Sequence, residues 1–571
     1  MKLQKLFPFL AWFPLRADTV KADCIAGLTV ALVLVPQSMA YAQLAGLPAY
    51  YGLYAAFLPV AVAALWGSSS QLGTGPVAVA SLLTASALTP LAAPGSEDFV
   101  ALAILLALLV GVVQLALGVF KLGVVVNFLS HPVIVGFTNA AALIIGLSQV
   151  NKIIGVPMGR SEHFINDIWG VARQLGDTHL PTLMMGLAAV AIMWAIRKRA
   201  PKFPGVLIAV VLATATAWLT DYGARGGQVV GAVPSGLPTP ALPALSWEQA
   251  GQLLSAAIVI SLVGFMEAIS IAKAIAAKTK QKIDPNQELI GQGLANLAGA
   301  MTQAFPVSGS FSRSAVNINA GARTGLSSVI TAACVLLTLL FLTPLLHHLP
   351  QAVLAAVIIM AVAGLINFGA IKHAWQANRH DGLAAVVTFV ATLAFAPHLD
   401  KGIMVGAGLA IVLYLYRTMS PRVAILGRYH DGTLRDAKLH NLPPSDVVTA
   451  VRFDGRLYFA NVAYFEDAIL EAVATNPQAP YLLIVASGIN EMDASGEEVM
   501  HHLVERLHAN GVTVVFSGLK KQVLDVMRAT GLFDQISHAN IHATADQALA
   551  AIYARVGDLH RTDALRPLQA A

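Results

Sequence analysis

The sequence predicts an α-helical polytopic membrane protein with about fourteen membrane-spanning segments, followed by a soluble α/β domain. Composition predicts the membrane part: 56% of the 571 residues are hydrophobic and only 12% are charged, whereas soluble globular proteins contain about 25% charged residues. A change near residue 421 predicts the second part, because charged residues then become frequent and strand patterns alternate with helix patterns. This composition argues against a soluble enzyme.

The distribution of charge argues against a nucleic-acid partner, although the net charge is +5 and the pI is about 9.1. The basic residues occur in short clusters between apolar runs, a pattern that sets the orientation of membrane proteins. Cys24 and Cys334 both lie in apolar segments, so no disulfide framework is indicated. We expect no cofactor and no metal site, and a lipid bilayer as the main environment.

Apolar segments follow one another from about residue 25 to residue 416, and each spanning helix needs roughly 20 residues. Residues 313–322 are too short and too polar to span a membrane. The predicted spans are residues 25–44, 51–66, 77–91, 100–119, 133–147, 182–196, 206–219, 253–277, 290–302, 327–345, 352–366, 382–396 and 403–416.

The basic clusters predict the orientation of the chain. Residues 1–22 contain a short apolar stretch without a signal-peptide cleavage site, so we expect an interfacial, cytoplasmic segment. With a cytoplasmic N-terminus and about fourteen crossings, every cluster falls on the cytoplasmic side and the connection 151–179 falls outside. The clusters are Lys2, Lys5, Arg16 and Lys21; Arg197, Lys198, Arg199 and Lys202; Lys278, Lys280 and Lys282; Lys372 and Arg379; and Arg417 and Arg422.

The predicted domain boundaries are 1–22 for the N-terminal segment, 23–420 for the transmembrane domain, 421–440 for a linker, 441–560 for the soluble domain and 561–571 for a tail. The soluble domain has about 120 residues, an ordinary size, and is expected in the cytoplasm. Its predicted strands are 447–452, 457–459, 481–485 and 512–516, and its predicted helices are 462–474, 495–510, 520–530 and 545–556.

Arg313 lies where an ionised side chain is costly. At membrane depth a charge costs about 3 kcal/mol or more, so it normally faces a cavity and serves a function. The residues before it are small or hydroxylated, as at the start of a helix. The alternative is that Arg313 pairs with a carboxylate and braces the fold.

Two short helices, one in each half of the membrane domain, predict a transport site. The first starts near Gly75-Pro76, with Thr74 as the expected N-cap and Pro76 at the first helical position, and the second opens near 310–314. The first N–H groups of a helix have no intrahelical partner, and each helix start carries about half a positive charge. Two such starts aimed at one point, with Arg313 beside them, form an anion pocket.

Three further polar residues within the apolar spans are candidates for this site. Gln37 and Tyr41 are four residues apart after a helix-breaking Pro36, so they share a face that lines either the pocket or a helix–helix contact. Glu267 is a second charge within an apolar span. It either binds and releases a proton or forms a permanent ion pair with Arg313.

In the soluble domain, Ser495 and Glu498 have the spacing of a capping box at the start of a helix. A regulatory phosphate on Ser495 is the functional alternative, because a helix N-terminus accommodates added negative charge.

Five motifs together resemble a known family. Residues 36–42 (PQSMAYA), 47–54 (LPAYYGLY), 75–79 (GPVAV) and 309–317 (GSFSRSAVN) resemble the sulfate permease (SulP, SLC26) family of anion transporters. Residues 493–496 (DASG) resemble the signature of a STAS domain, which is found in that family and in anti-sigma-factor antagonists. The match covers nearly the whole chain.

The resemblance implies a seven-plus-seven inverted repeat with core and gate subdomains, an anion site between the third and tenth helices, and a homodimer. It implies that Gln37, Tyr41, Val77, Ser312 and Arg313 line the site. Glu267 matches an acidic position on the eighth helix of proton-coupled sulfate members, whereas sodium-coupled bicarbonate carriers tend to have Asp there. Ser495 matches the serine that is phosphorylated in anti-sigma antagonists.

We therefore expect a proton-coupled sulfate symporter of a bacterial cytoplasmic membrane that works by alternating access, with Glu267 carrying the proton. The alternatives are a sodium–bicarbonate or dicarboxylate symporter, an uncoupled anion exchanger or channel, and a sensor whose C-terminal domain recruits a cytoplasmic protein. The expected anion-binding residues are Gln37, Tyr41, Val77, Ala78, Val79, Phe311, Ser312 and Arg313.

Overall fold

The computed structural model describes residues 7–124, 130–159, 164–200, 203–234, 236–240, 246–557 and 562–567. Of the predicted terminal segments, residues 1–6, 561 and 568–571 lie outside the described residues. The chain forms two compact units, Met1–Ala410 and Ile411–Ala571. The last membrane helix crosses this division, so the first unit ends ten residues before the predicted boundary at 420.

The first unit is helical, and each of the thirteen predicted spans contains helix. By length and composition, seven described helices can cross a membrane, and four shorter helices are also apolar. The helices are α1 (Ala17–Leu44), α2 (Tyr51–Tyr54), α3 (Leu58–Trp66), α4 (Ala78–Leu88), α5 (Glu97–Val119), α6 (His131–Ser148), α7 (Val150–Ile154), α8 (Phe164–Arg173), α9 (Leu180–Arg199), α10 (Gly205–Leu219), α11 (Trp247–Thr279), α12 (Pro285–Met301), α13 (Phe311–Asn319), α14 (Leu326–Leu337), α15 (Gln351–Val362), α16 (Phe368–Ala377), α17 (Arg379–Phe395) and α18 (Leu399–Met419).

These helices pack into two groups. Helices α1, α3, α4, α5 and α11 to α14 contact mainly one another, and α6, α7, α9, α10 and α15 to α17 do the same. Helix α18 joins the second group because Gly402 and Gly406 lie directly against Thr392 and Thr388 of α17. The contacts between the groups are fewer and involve mainly α1 and α4. This division has the form expected for a core and a gate.

Two short strands cross at the centre of the first group. Strand β1 (Gly73–Gly75) pairs with β2 (Ser308–Ser310) in an antiparallel register, with Thr74 opposite Gly309. Helix α4 begins three residues after β1, and α13 begins directly after β2. The two half-helices therefore start from one antiparallel crossing, the arrangement expected of an inverted repeat.

The second unit contains a six-stranded sheet in the order β4-β3-β5-β6-β7-β8. Pairs β3–β4 and β3–β5 are antiparallel, and β5 to β8 run parallel. Apolar side chains pack on both faces, with Leu482 and Ile484 on one side and Leu483 and Val485 on the other. The strands are β3 (Arg422–Arg428), β4 (Leu434–Asp436), β5 (Val448–Asp454), β6 (Tyr481–Val485), β7 (Thr513–Ser517) and β8 (Ile541–His542), and the helices are α19 (Ala437–His440), α20 (Val462–Thr475), α21 (Ala494–Ala509), α22 (Lys521–Thr530), α23 (Leu532–Ile536) and α24 (Ala545–Val556).

Three predictions for this unit were wrong. Residues 421–440 are not a linker, because β3 and β4 complete the sheet. The predicted strand 457–459 is reduced to a single bridge between Leu457 and Met492. Ser495 does not cap α21, because the Asp493 carboxylate accepts the Gly496 N–H at 2.8 Å and takes the N-cap position.

Candidate functional site

Arg313 is fully buried in the first turn of α13. Its backbone N–H donates to the Oγ of the N-cap residue Ser310 at 3.4 Å, and its Nη1 donates to the Gln37 Oε1 at 3.2 Å. Its Nε and Nη2 have no hydrogen-bond partner among the residues that the structure describes. Buried polar groups are almost always satisfied, so two orphaned donors on one guanidinium indicate a ligand site.

In the described part of the chain, Arg313 has no carboxylate partner. Among the described residues, no Asp or Glu oxygen lies within 4.0 Å of its guanidinium, and the alternative of a permanent Glu267–Arg313 ion pair is therefore not realised. A buried cation without a partner costs several kcal/mol. The structure thus keeps a full positive charge in a dry environment, where an anion would compensate it.

The first half-helix begins two residues later than predicted, at Ala78 instead of Pro76. Val77 is the N-cap, with extended backbone angles and no side-chain cap, and Ala78 is the first helical residue. Thr74 is not the cap, because it belongs to β1 and its Oγ1 accepts from the Gln292 Nε2 at 2.9 Å. Pro76 accordingly precedes the helix. The uncapped N–H groups at this helix start remain available to an anion.

The crossing brings the two helix starts together. Gly75, at the end of β1, has a φ of +142°, and a Cβ added there would lie 3.3 Å from the Arg313 Nη2. The start of α4 follows directly, with Val77, Ala78 and Val79 all buried. Arg313 of the second half-helix therefore lies against the strand that leads into the first.

Gln37 and Tyr41 of α1 are both buried beside Arg313. Tyr41 lies one helical turn after Gln37 on α1, so the two side chains share one face of that helix. Because Gln37 accepts from the guanidinium, it orients Arg313 as well as facing the site. The predicted shared face of Gln37 and Tyr41 thus lies at the crossing.

Phe311 and Ser312 differ from the other predicted site residues because they are exposed. Phe311 is 67% exposed although it is a large hydrophobic residue, and Ser312 is also in an open position. The Ser312 Oγ lies 3.3 Å from the Ser310 Oγ at the helix start. The first two residues of α13 therefore border open space, and Arg313 lies buried behind them.

Glu267 lies on the part of α11 that packs against β2. The Ser308 Oγ donates to the Gly264 carbonyl at 2.7 Å, and a Cβ on Gly309 would lie 2.9 Å from the Ala268 Cα. Glu267 stands between these two contact positions and is partly exposed. It is near the crossing, yet the described residues include no ion-pair partner for it.

Sequence reasoning missed a set of buried polar residues on α12: Glu288, Gln292 and Asn296. They are spaced four residues apart, so they share one face of the helix. The signal was present, but the predicted span 290–302 left out Glu288 and treated the segment only as an apolar helix. These side chains contact the residues that lead into both half-helices.

Family comparisons match almost the whole chain. Residues 20–388 match the model of the sulfate permease family, and residues 441–548 match the STAS domain. A chloroplastic sulfate transporter 4.1 of Arabidopsis thaliana is 35% identical, over 94% of this chain and 80% of the relative. A probable sulfate transporter of Mycobacterium tuberculosis is 33% identical, over 94% of this chain and 96% of the relative.

Solved structures share the fold. The inward-facing structure of the murine Solute Carrier 26 family member A9 anion transporter superimposes with a TM-score of 0.89 at 24% identity, over 97% of this chain and 95% of that one. The transmembrane domain of the cyanobacterial bicarbonate transporter BicA covers 70% of this chain and 98% of its own length, with a TM-score of 0.59 and 24% identity. By its membrane-domain match, its STAS domain and its full-length relatives, this multi-pass membrane protein belongs to the sulfate permease family.

Proposed function

We propose that this protein is a secondary active transporter that carries sulfate, or a related oxyanion, together with a proton across a bacterial cytoplasmic membrane. The observation that carries the proposal is Arg313: a fully buried cation at a helix start, with two unpartnered donors and, among the described residues, no carboxylate beside it. The names of relatives add support, since two proteins that are 33 and 35% identical over 94% of this chain are named a probable sulfate transporter and a sulfate transporter.

The donors at the crossing suit an oxyanion. A guanidinium is planar, and its N–H groups match two oxygens of a sulfate-like anion. The uncapped N–H groups at the start of α4 offer further donors to the remaining oxygens. Of the expected binding residues, Arg313 and Ala78 would donate directly, Gln37 would orient the guanidinium, and the buried Tyr41 would line the pocket.

Glu267 is the proposed proton carrier. It stands on α11 next to β2, close to the anion site but outside hydrogen-bond contact with Arg313. Protonation would remove a negative charge near the anion, so proton binding and anion binding would each strengthen the other, as thermodynamic linkage requires.

Alternating access would come from movement of the first helix group against the second. The Ser86 hydroxyl on α4 donates to the Pro397 carbonyl and accepts from the Leu399 N–H at 3.1 Å. Pro397 and Leu399 lie at the α17–α18 connection of the second group, so this contact would have to break when α4 moves.

An uptake panel in proteoliposomes tests the proposal. Radiolabelled sulfate, bicarbonate, chloride and fumarate would be compared under an imposed pH gradient and under a sodium gradient. We expect concentrative sulfate uptake driven by an acidic exterior and independent of sodium. Uptake of bicarbonate or fumarate driven only by sodium would contradict the proposal, as would passive chloride current without saturation.

We further propose a cytoplasmic N-terminus and a cytoplasmic STAS domain, on the strength of the basic clusters. A homodimer is proposed only from the resemblance to the sulfate permease family. Ser495 is the second residue of α21 and is partly exposed, so a phosphate there would meet the helix N-terminus. A cytoplasmic protein partner would bind at this position and distinguish the phosphorylated from the unphosphorylated serine. Phosphomimetic Ser495→Asp is expected to change the transport rate, and an unchanged rate would remove the regulatory role.

A further inference from the structure

The half-helix starts need external support, because the crossing that holds them is very small. Strands β1 and β2 share only three residue pairs. Two-stranded ribbons of this kind are marginally stable on their own. The relative position of the two anion-facing helix starts must therefore be imposed by neighbouring elements.

One neighbour is Glu288, which holds the chain that leads into α4. Its Oε2 accepts from the Ser68 N–H at 2.9 Å, the Ser69 N–H at 3.1 Å and the Ser68 hydroxyl at 3.1 Å. Its Oε1 accepts from the Gln292 Nε2 at 3.2 Å, and the same Nε2 donates to the Thr74 Oγ1 at 2.9 Å. The carboxylate thus fixes the α3–β1 loop directly and β1 through Gln292.

Asn296, two turns further along α12, holds the chain that leads into α13. Its Oδ1 accepts from the Val307 N–H at 2.8 Å, and its Nδ2 donates to the Val307 carbonyl at 3.1 Å. It also donates to the Gln114 Oε1 on α5 at 3.0 Å. Since Val307 directly precedes β2, this side chain acts like a strand partner at the entrance to the second half-helix.

The packing leaves α12 little freedom to move away from this chain. A Cβ on Gly291 would lie 2.6 Å from the Gly67 Cα, so the helix and the α3–β1 loop are in direct backbone contact. Glu288, Gln292 and Asn296 are each at most 2% exposed. Their hydrogen bonds therefore act in a dry environment, where losing a partner is costly.

We propose that Glu288, Gln292 and Asn296 form a positioning face that sets the two half-helix starts relative to each other, with Glu288 as the positioning residue for α4. This inference rests on the proposed anion site at the crossing. The positioning face does not contact the anion. It determines the positions of the protein groups that donate hydrogen bonds to the anion.

The role of Glu288 can be tested by a substitution to glutamine, which has nearly the same shape and volume. Two backbone N–H groups, one amide NH₂ and the Ser68 hydroxyl point at its carboxylate, and of these groups only the hydroxyl can also accept a hydrogen bond. In Glu288→Gln one carboxylate oxygen becomes an NH₂, which must face a donor or force Gln292 to turn. The loop before β1 would then shift while the side-chain volume stays the same.

The experiment compares full-length wild type, Glu288→Gln and Glu288→Asp in proteoliposomes, with KM and maximal rate measured for radiolabelled sulfate and thermal stability measured in detergent. Asn286→Ala is the matched control, because Asn286 lies on the same helix and accepts from the Gly123 N–H at 3.0 Å, away from the crossing. We expect Glu288→Gln to raise KM by about tenfold to a hundredfold, as misplacing a binding group by about 1 Å does. Asn286→Ala should leave KM unchanged.

A merely structural role would lower the amount of folded protein and the maximal rate but leave KM as in wild type, and that result would overturn the inference. Unchanged KM in Glu288→Gln together with a raised KM in Arg313→Met would overturn it while leaving the proposed function intact. Partial rescue by Glu288→Asp, which keeps both acceptor oxygens, would support it. Absence of saturable sulfate uptake by wild type would overturn the proposed function and this inference together.

Discussion

Replacing Arg313 by methionine separates a binding role from a bracing role. The change keeps an extended side chain and removes the cation together with the Nε and Nη2 donors, which have no hydrogen-bond partner among the described residues. If these donors bind the anion, the variant loses two charge-assisted hydrogen bonds of about 1.5 to 3 kcal/mol each. The total of about 3 to 6 kcal/mol corresponds to a loss of roughly 10² to 10⁴ in affinity, because about 1.4 kcal/mol is tenfold.

The same variant should fold at least as stably as wild type. Losing the Arg313–Gln37 hydrogen bond leaves the Gln37 Oε1 unpaired, at a cost of about 1 to 3 kcal/mol. Removing a buried, uncompensated cation releases a desolvation cost of several kcal/mol. The two effects nearly cancel or favour the variant, so we expect an unchanged or higher midpoint of thermal unfolding.

The assay pairs sulfate uptake by proteoliposomes with thermal unfolding of the purified protein. Arg323→Met serves as the control, because the Arg323 Nη1 pairs with the Asp18 Oδ2 at 2.6 Å in an exposed position and should not affect KM. Lower stability of Arg313→Met with nearly normal uptake would refute the reasoning, because it would make Arg313 a structural brace.

Five other variants test separate parts of the account. Glu267→Gln should abolish the dependence of uptake on a pH gradient while sulfate still binds, and a variant that still concentrates sulfate would exclude Glu267 as the proton carrier. Ser86→Ala removes two hydrogen bonds of about 1 kcal/mol each between α4 and the α17–α18 connection. The distribution of spin-label distances between the two helix groups should therefore shift toward a different conformation. An unchanged distribution would contradict this role of Ser86. Asp493→Ala should destabilise the STAS domain by about 1 kcal/mol through loss of the N-cap, whereas Ser495→Ala should hardly change the free energy of unfolding. A larger loss of stability in Ser495→Ala than in Asp493→Ala would instead support a capping box formed by Ser495. Truncation after residue 421 should leave sulfate uptake measurable, and complete loss with a folded membrane domain would make the STAS domain part of the transport machinery.

The outline of the site could be predicted because its signals are local. A charge inside an apolar run singles out Arg313, and the hydroxylated residues before it correctly predict a helix start, which the structure places at Phe311. The membrane helices follow in the same way from hydropathy. Their ends were less well predicted, because α11 extends six residues before the predicted span and two residues after it.

The crossing itself could not be predicted, because its partners are far apart in the chain. Thr74 pairs with Gly309, and three-residue strands leave no periodic pattern in a sequence. Local capping rules therefore assigned Thr74 to the helix, whereas tertiary hydrogen bonding assigns it to β1. Glu288 was missed for a related reason: its partners Ser68 and Ser69 lie 220 and 219 residues away.

In the soluble domain the errors came from competition between neighbouring signals. Ser495 follows Asp493, and either side chain could cap the helix, but only the Asp493 carboxylate reaches both the Gly496 N–H and the Phe459 N–H. Strand β3 gives a weak strand signal, because it begins and ends with arginine and only two residues separate it from the last membrane helix.

The central claim is that an oxyanion binds between the starts of α4 and α13 on Arg313. Anomalous diffraction from crystals soaked with selenate, a heavier analogue of sulfate, tests it most directly. We predict a selenium peak whose selenate oxygens lie within hydrogen-bond distance, about 2.7 to 3.2 Å, of the Arg313 Nη2 and the Ala78 N–H. A selenium peak elsewhere in the membrane domain, with none at Arg313, would contradict the account.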